Sequence, residues 1–251
     1  MGVPRLRVFA GPNGSGKSTI KEALRPEWLG VYVNADEIEK SIRGRGHLDL
    51  ADFALGAADL AGLHAFMAAS TLLSRDPALL ADAARLGLDG SRVIFGAVQV
   101  NSYHASVLSD FIRHRLLARG QSFTFETVMS SRDKVDFMAR ARAHGYRTYL
   151  YFVATDDPEI NVERVRNRVL GGGHPVPQDK IRERYHRSLD LLPQAIDQSS
   201  RAYVFDNSGE DRLLLAEITD AGESLSLEAD AIPPWFQPVL DRYASDEDAP
   251  D

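Results

Sequence analysis

Leu6-Arg7-Val8-Phe9-Ala10-Gly11-Pro12-Asn13-Gly14-Ser15-Gly16-Lys17-Ser18-Thr19 is the stretch that decides the fold. Leu6–Ala10 is mostly apolar and reads as a strand, while Thr19–Leu24 reads as the start of a helix. Between them, Gly11–Ser18 fits G-x-x-x-x-G-K-[ST]. In that setting successive backbone N–H groups wrap a β-phosphate, the helix start adds its dipole, and the glycines let the backbone approach closely. Lys17 is then the group that reaches the β- and γ-phosphates, and Ser18 the group that ligates Mg²⁺. The expected ATP-binding set is Gly11, Pro12, Asn13, Gly14, Ser15, Gly16, Lys17, Ser18 and Thr19. A phosphate loop defines a nucleotide site without defining a reaction. No guanine-reading N-K-x-D follows it, which argues against a GTPase. Asn34-Ala35-Asp36-Glu37 partly fits the Asp-Glu pair of a translocating ATPase, so that alternative stays open.

Working outward, four more β-rich runs appear: Val31–Asn34, Ser122–Phe125, Thr148–Ala154 and Ala202–Phe205. Each ends in a polar or glycine cluster, and helical patterns lie between them. Alternation of this kind predicts an α/β fold: a parallel five-stranded sheet with helices on both faces. Ligands of such sheets collect at the carboxyl ends of the strands, where all the polar clusters fall. Gly44–Val100 departs from the pattern. It is rich in Ala, Leu and Asp, with helical spacing of Leu60, Leu63, His64, Met67 and Thr71, and is expected to be a helical insertion. Within it Arg92–Val98 is a candidate strand. Glu217–Ile218 and Glu223–Leu227 flank Gly222 and fit a small hairpin, and Pro233–Phe236 can pack the C-terminal part onto the body. The acidic stretch 245–251 is expected to be a frayed tail.

The chemistry-bearing residues outside the loop are carboxylates and arginines. Asp36 lies 19 residues after Lys17, just past the second strand. A base placed there accepts the proton of an attacking hydroxyl, provided that it reaches it. Asp36 or Glu37 serves equally well as a helix cap. Glu126 and Thr127 end the third strand, where they can bind substrate hydroxyl or amide groups or, again, cap a helix. Thr155-Asp156-Asp157-Pro158 is a helix start. That helix carries Arg164 and Arg168 on one face, Gly171–Gly173 breaks it, and a second helix from about Asp179 carries Arg184 and Arg187. Two arginine-bearing helices around a glycine break resemble a mobile lid over 158–190, able to stabilise charge on a transferring phosphoryl group. A solvated helical hairpin with Glu163 and Glu183 as ion-pair partners explains any single arginine as well. His174 sits in the break, on a loop expected to face the ligand.

The 251 residues suit one large domain with an insertion, and 44% hydrophobic content is enough for a core. The net charge of −7 disfavours a nucleic-acid-binding role, which needs a basic footprint. Cysteine is absent, so there is no disulfide, thiolate zinc site or cysteine nucleophile. The expectation is a cytoplasmic protein. Met1–Phe9 is too short and too charged for a signal peptide, and no run of 18 apolar residues offers a membrane span.

Together the motifs resemble the zeta-toxin family of P-loop kinases. The matching pieces are GPNGSGKST at 11–19, VNADEI at 33–38, FETVMS at 125–130 and GYRTYLYFVAT at 145–155. RVRNRV, GGH, VP and KIRERYHRSL follow across 164–189. The resemblance implies an adenylate-kinase-like fold and transfer of phosphate from ATP, with Mg²⁺, to a hydroxyl of UDP-N-acetylglucosamine. It also implies an antitoxin protein as a partner for some members. By position it makes Lys17 the phosphate-loop lysine and Asp36 the base. Glu126 becomes the substrate-binding glutamate and Thr155 a substrate contact. The lid arginines fall among Arg164, Arg168, Arg184 and Arg187. The long Gly44–Val100 segment and the stretch around Gly171–Pro177 depart from the family and bear on the acceptor more than on the chemistry. A nucleotide-binding switch or partner-binding module that turns ATP over without an acceptor is the competing class.

Overall fold

The structure is a computed structural model that describes residues 2–173 and 175–244. His174 and the expected tail at 245–251 lie outside the described residues. In chain order the elements are β1 (Arg5–Ala10), α1 (Ser18–Ala23), α2 (Pro26–Leu29), β2 (Val31–Val33) and α3 (Ala35–Arg45). They continue with β3 (His47–Asp49), α4 (Leu63–Ala68), α5 (Pro77–Ala84), β4 (Gly87–Asp89) and β5 (Arg92–Ile94). Then come α6 (Ser102–Ala118), β6 (Phe123–Thr127), α7 (Asp133–Ala143), β7 (Arg147–Ala154) and α8 (Pro158–Leu170). The chain ends with α9 (Gln178–Asp190), α10 (Leu192–Asp197), β8 (Arg201–Asp206), β9 (Leu213–Thr219), β10 (Ser224–Leu227) and α11 (Gln237–Ala244).

These elements form two compact units, Met1–Leu29 with Glu126–Asp251, and Gly30–Phe125. In the first, the strands lie in the order β10-β9-β8-β7-β1. β1, β7 and β8 are parallel, with Val8 opposite Leu150 and Leu150 opposite Ala202. Leu6, Val8, Leu150, Phe152, Ala202 and Val204 are all fully buried. Each of the Val, Leu and Phe side chains among them contributes about 1.5–3 kcal/mol of hydrophobic stabilisation. β9 and β10 run antiparallel, so the sheet does not stop at parallel strands as expected. They are the hairpin expected around Gly222, with β9 longer than the sequence pattern suggested and β10 starting one residue later, at Ser224. All five strands read from the sequence are present.

α8 begins where Asp157 accepts from the Glu159 N–H at 2.8 Å, with Pro158 in the first turn. α8 and α9 share a small core of Val162, Val165 and Ile181, with Val169 and Val176 packed on it. Arg182 on α9 closes the hairpin with two bonds to Glu159, at 2.5 and 2.8 Å. This pair holds the Glu159 carboxyl below its usual range. The stretch 158–190 is therefore a pair of packed helices.

In the second unit, β2 pairs in parallel with β6 from Val31 opposite Phe123 to Val33 opposite Phe125. A separate antiparallel sheet runs β3-β5-β4. The Gly44–Val100 segment is therefore mixed rather than helical, and it belongs to a wider compact unit. The candidate strand at Arg92–Val98 is real but stops at Ile94. The single helical face drawn through Leu60, Leu63, Met67 and Thr71 is interrupted. Ala57–Leu60 is a 3-10 turn, α4 starts only at Leu63 after Gly62, and Thr71 lies beyond its end. Leu60, Leu63 and Met67 are nonetheless buried. Spacing thus identified the buried residues but not the break that Gly62 introduces. Among the described residues no helix is long and apolar enough to cross a membrane.

Candidate functional site

The phosphate loop is a cradle shaped by backbone. Gly11 has φ 137°, and a Cβ there would lie 2.0 Å from the Val153 carbonyl oxygen. Gly16 has φ 94°, and a Cβ there would lie 2.3 Å from Asn207 Nδ2. Both positions demand glycine on conformation and on space. Lys17 is buried, and its Nζ donates to the Pro12 carbonyl at 2.8 Å, folding the ammonium over the loop that carries it. Asn13 Oδ1 and Ser15 Oγ are buried with no hydrogen-bond partner among the described residues.

Two asparagines hold this loop from outside. Asn161, fully buried on α8, donates from Nδ2 to the Asn13 carbonyl at 2.6 Å and accepts from the Thr155 hydroxyl. Asn207, just past β8, donates to the Ser15 carbonyl at 2.8 Å. Asn161 was not identified from the sequence, and Asn207 was read only as part of the polar cluster that ends the fifth strand. Their only signal was a position at a strand end or one turn into a helix.

Thr155 is fully buried, with its hydroxyl engaged by Asn161 and its carbonyl accepting from Tyr185 Oη at 2.5 Å. Burial pushes the Tyr185 phenol up. Thr155 is thus linked through Asn161 to the Asn13 carbonyl of the phosphate loop. Asp206 at the end of β8 accepts from the backbone and hydroxyl of Ser208, both at 2.9 Å, and from Trp235 Nε1 at 2.9 Å. Trp235 and the fully buried Phe236 do pack the C-terminal segment onto the body, as expected.

At the outer end of the loop the exposed Ser18 hydroxyl meets the Glu126 carboxylate at 3.3 and 3.4 Å. A serine hydroxyl beside a carboxylate is a hard oxygen set of the kind Mg²⁺ prefers. Among the described residues no group of three or more His, Asp or Glu could hold a metal. Thr127 is turned to a local task, its hydroxyl accepting from the Met129 N–H at 3.0 Å.

The four arginines separate by environment. Arg164 is committed to the loop after β8, donating to Asn207 O at 2.6 Å and Gly209 O at 3.3 Å. Arg187 is an exposed ion pair with Glu183 at 3.3 Å. Arg168 is exposed near the end of α8, where Gly173 packs against it. Arg184 is half-buried and makes no hydrogen bond or ion pair with a described residue. It lies one helical turn before Ser188, whose hydroxyl donates to the Val128 carbonyl in the loop that follows Glu126. Arg184 therefore shares the face of α9 that carries Ser188.

Asp36 belongs to the second unit. The cap of α3 is Asn34, whose side chain accepts from the N–H groups of Asp36 at 2.8 Å and Glu37 at 3.3 Å. Neither Asp36 nor Glu37 is the cap. The Asp36 carboxylate is exposed and makes no hydrogen bond with a described residue, so it is available for chemistry. A surface depression of about 370 Å³ in this unit is lined by residues of the 57–90 stretch, among them Leu60, His64 and Leu88.

Residues 97–219 match the family model of the zeta toxin. The resemblance to zeta-toxin P-loop kinases read from the sequence is thereby borne out. An uncharacterized protein of Haemophilus influenzae is 28% identical over 72 residues, 29% of this chain and 51% of that protein. The AvrRxo1-ORF1:AvrRxo1-ORF2 complex with sulphate ions contains a chain 15% identical, with a TM-score of 0.52. The likeness covers 96% of this chain and 63% of that one, so this chain spans between half and two thirds of the relatives it matches first. A chain of the PezAT toxin-antitoxin system of Streptococcus pneumoniae is 15% identical with a TM-score of 0.48, covering 98% of this chain and 86% of that one.

Proposed function

From the zeta-toxin-type P-loop kinase fold, we propose that this chain is an ATP-dependent kinase that phosphorylates a hydroxyl of a small molecule. The acceptor class is a nucleotide sugar, with UDP-N-acetylglucosamine as the first compound to test. The observation that carries the reading is the loop itself: a backbone cradle with Lys17 over it and Ser18 opposite Glu126. ATP binds on Gly11–Thr19. Mg²⁺, held on the Ser18–Glu126 side, neutralises charge on the β- and γ-phosphates when bound. The acceptor oxygen attacks the γ-phosphorus, the bond to the β–γ bridging oxygen breaks, and ADP leaves. Asp36 takes the acceptor proton, a role supported by its unspent carboxylate. Arg184 supplies lid charge to the transferring group. A protein antitoxin is the regulatory partner that this reading implies.

Incubation with labelled ATP, Mg²⁺ and UDP-N-acetylglucosamine, followed by mass spectrometry, tests the reading. ADP with a phosphorylated sugar nucleotide is the expected outcome. ADP with free phosphate, and no phosphorylated product from a metabolite extract, would instead make the chain an ATPase switch.

A further inference from the structure

We infer that Arg212 is a nucleotide-binding residue, a cation presented to the nucleotide's α-phosphate; the inference rests on the kinase reading above. The segment from Asp206 to Arg212 leaves β8 and enters β9, and it grips the phosphate loop at two separate points. At the first, Asn207 donates to the Ser15 carbonyl at 2.8 Å. At the second, Arg212 Nη1 donates to Thr19 Oγ1 at 2.8 Å. Thr19 in turn donates to the Gly16 carbonyl at 2.7 Å, so its hydroxyl is oriented from both sides.

The Arg212 guanidinium is held over the Phe205 ring, 5.4 Å from its centroid. It makes no further hydrogen bond with a described residue. A guanidinium carries five N–H donors in one plane, so most of them are left for an anion. Arg212 is half-buried, whereas its neighbours Glu210 and Asp211 are exposed to solvent. A charge so placed is screened less than one on open surface. Lys17 and Ser18 address the β- and γ-phosphates. Thr19 is the next residue on from that end, so a cation fixed on Thr19 serves the phosphate nearest the nucleoside.

The segment does not depend on Arg212 for its shape. Trp235 and Ser208 hold Asp206, and Arg164 holds the carbonyls of Asn207 and Gly209. An Arg212 variant is therefore expected to fold. No sequence motif marks this residue, because its partner lies 193 positions away.

Isothermal titration of the full chain with ADP and with ATP, for the native protein, Arg212→Gln and Arg212→Lys, tests the assignment. Arg212→Gln should weaken ADP and ATP equally, by at least tenfold, because both carry the α-phosphate. Arg212→Lys should recover part of that loss, and in turnover assays the defect should fall on KM for ATP rather than on kcat. ADP binding by Arg212→Gln within twofold of native would overturn the assignment. So would a loss confined to kcat, which would move Arg212 to the transferred group. If the native chain binds neither nucleotide, the kinase reading itself fails and takes this assignment with it.

Discussion

The Ser18 hydroxyl donates to the Glu126 carboxylate at 3.3 Å, joining two residues 108 positions apart in the chain. One comes from the end of the phosphate loop and the other from the end of β6. The contact gives Glu126 a role that sequence position alone did not suggest. Read as a substrate ligand, it would act on the acceptor; facing Ser18, it shares the side where the proposed Mg²⁺ would be held. The two roles make different demands on the carboxylate charge, and they can be separated.

Glu126→Gln keeps the shape and removes the charge. On the geometry, the Mg²⁺ concentration giving half-maximal activity should rise at least tenfold, about 1.4 kcal/mol of lost cation affinity. KM for the acceptor should change little. A Mg²⁺ titration of initial rates decides it, and an acceptor KM effect with normal Mg²⁺ dependence would return Glu126 to the substrate.

Lys17→Ala removes the ammonium folded over the loop. Turnover should fall by roughly 10²–10³, the scale of losing one preorganised charge donor. A thermal melt of the variant checks that it is folded before its turnover is compared with native. Turnover near native in a folded Lys17→Ala protein would remove the loop from the chemistry.

Asp36→Asn tests the base. Since Asn34 and not Asp36 caps α3, the substitution leaves the helix start intact. Phosphoryl transfer should drop by roughly 10²–10⁴ while ATP affinity, measured by titration, stays within a few-fold. If affinity and rate fall together, Asp36 holds the cation or the fold instead.

The sequence made the parallel strands and the phosphate loop legible because both are local signals: apolar runs, glycines at fixed spacing, Pro158 at a helix start. It also made Asp36, Glu126 and the lid arginines legible as candidates. It could not show what each one touches. The roles of Asn161, Asn207 and Arg212 arise from contacts across 148, 192 and 193 positions, which no spacing rule encodes. The antiparallel β9 and β10 were only half visible, since Leu213–Thr219 is as apolar as a helix face of the same length. Of the small β3-β5-β4 sheet, β5 was legible within the apolar run Arg92–Val98, whereas β3 and β4, three residues each, are too short for alternation to register.

Asp49 gives the second unit an acid-sensitive feature. Hydrogen bonds from the Ser91 hydroxyl and the Ala51 N–H, with Arg92 alongside, lower its carboxyl to about 2 from 3.8. A carboxyl lowered on folding contributes stability that is fully present above the unfolded value. That contribution is lost as the pH falls from about 4 through about 2. Ser91→Ala removes the largest cause. In urea unfolding at pH 5 and pH 2.5, the variant should lose less stability between the two than the native chain does. Equal losses would mean that Asp49 takes no part in acid unfolding.

Arg164 and Arg184 were interchangeable as lid arginines in the sequence, and the structure makes them differ. Arg164 spends its guanidinium on the carbonyls of Asn207 and Gly209, and so positions the segment that also grips Ser15. Its loss should loosen the nucleotide side of the loop. Arg164→Ala is expected to raise KM for ATP about tenfold while kcat stays within a few-fold, the signature of lost uniform binding. Arg184 has no such commitment and lies on the face of α9 that turns toward the loop after Glu126. A charge waiting there acts on the group in flight, so Arg184→Ala should lower kcat by roughly 10²-fold, with KM for ATP nearly unchanged. Steady-state kinetics on the two variants, with thermal melts to verify folding, gives the answer directly. If the pattern is reversed, with Arg164→Ala losing kcat and Arg184→Ala losing only ATP affinity, the hairpin closes in an orientation other than the one these contacts support.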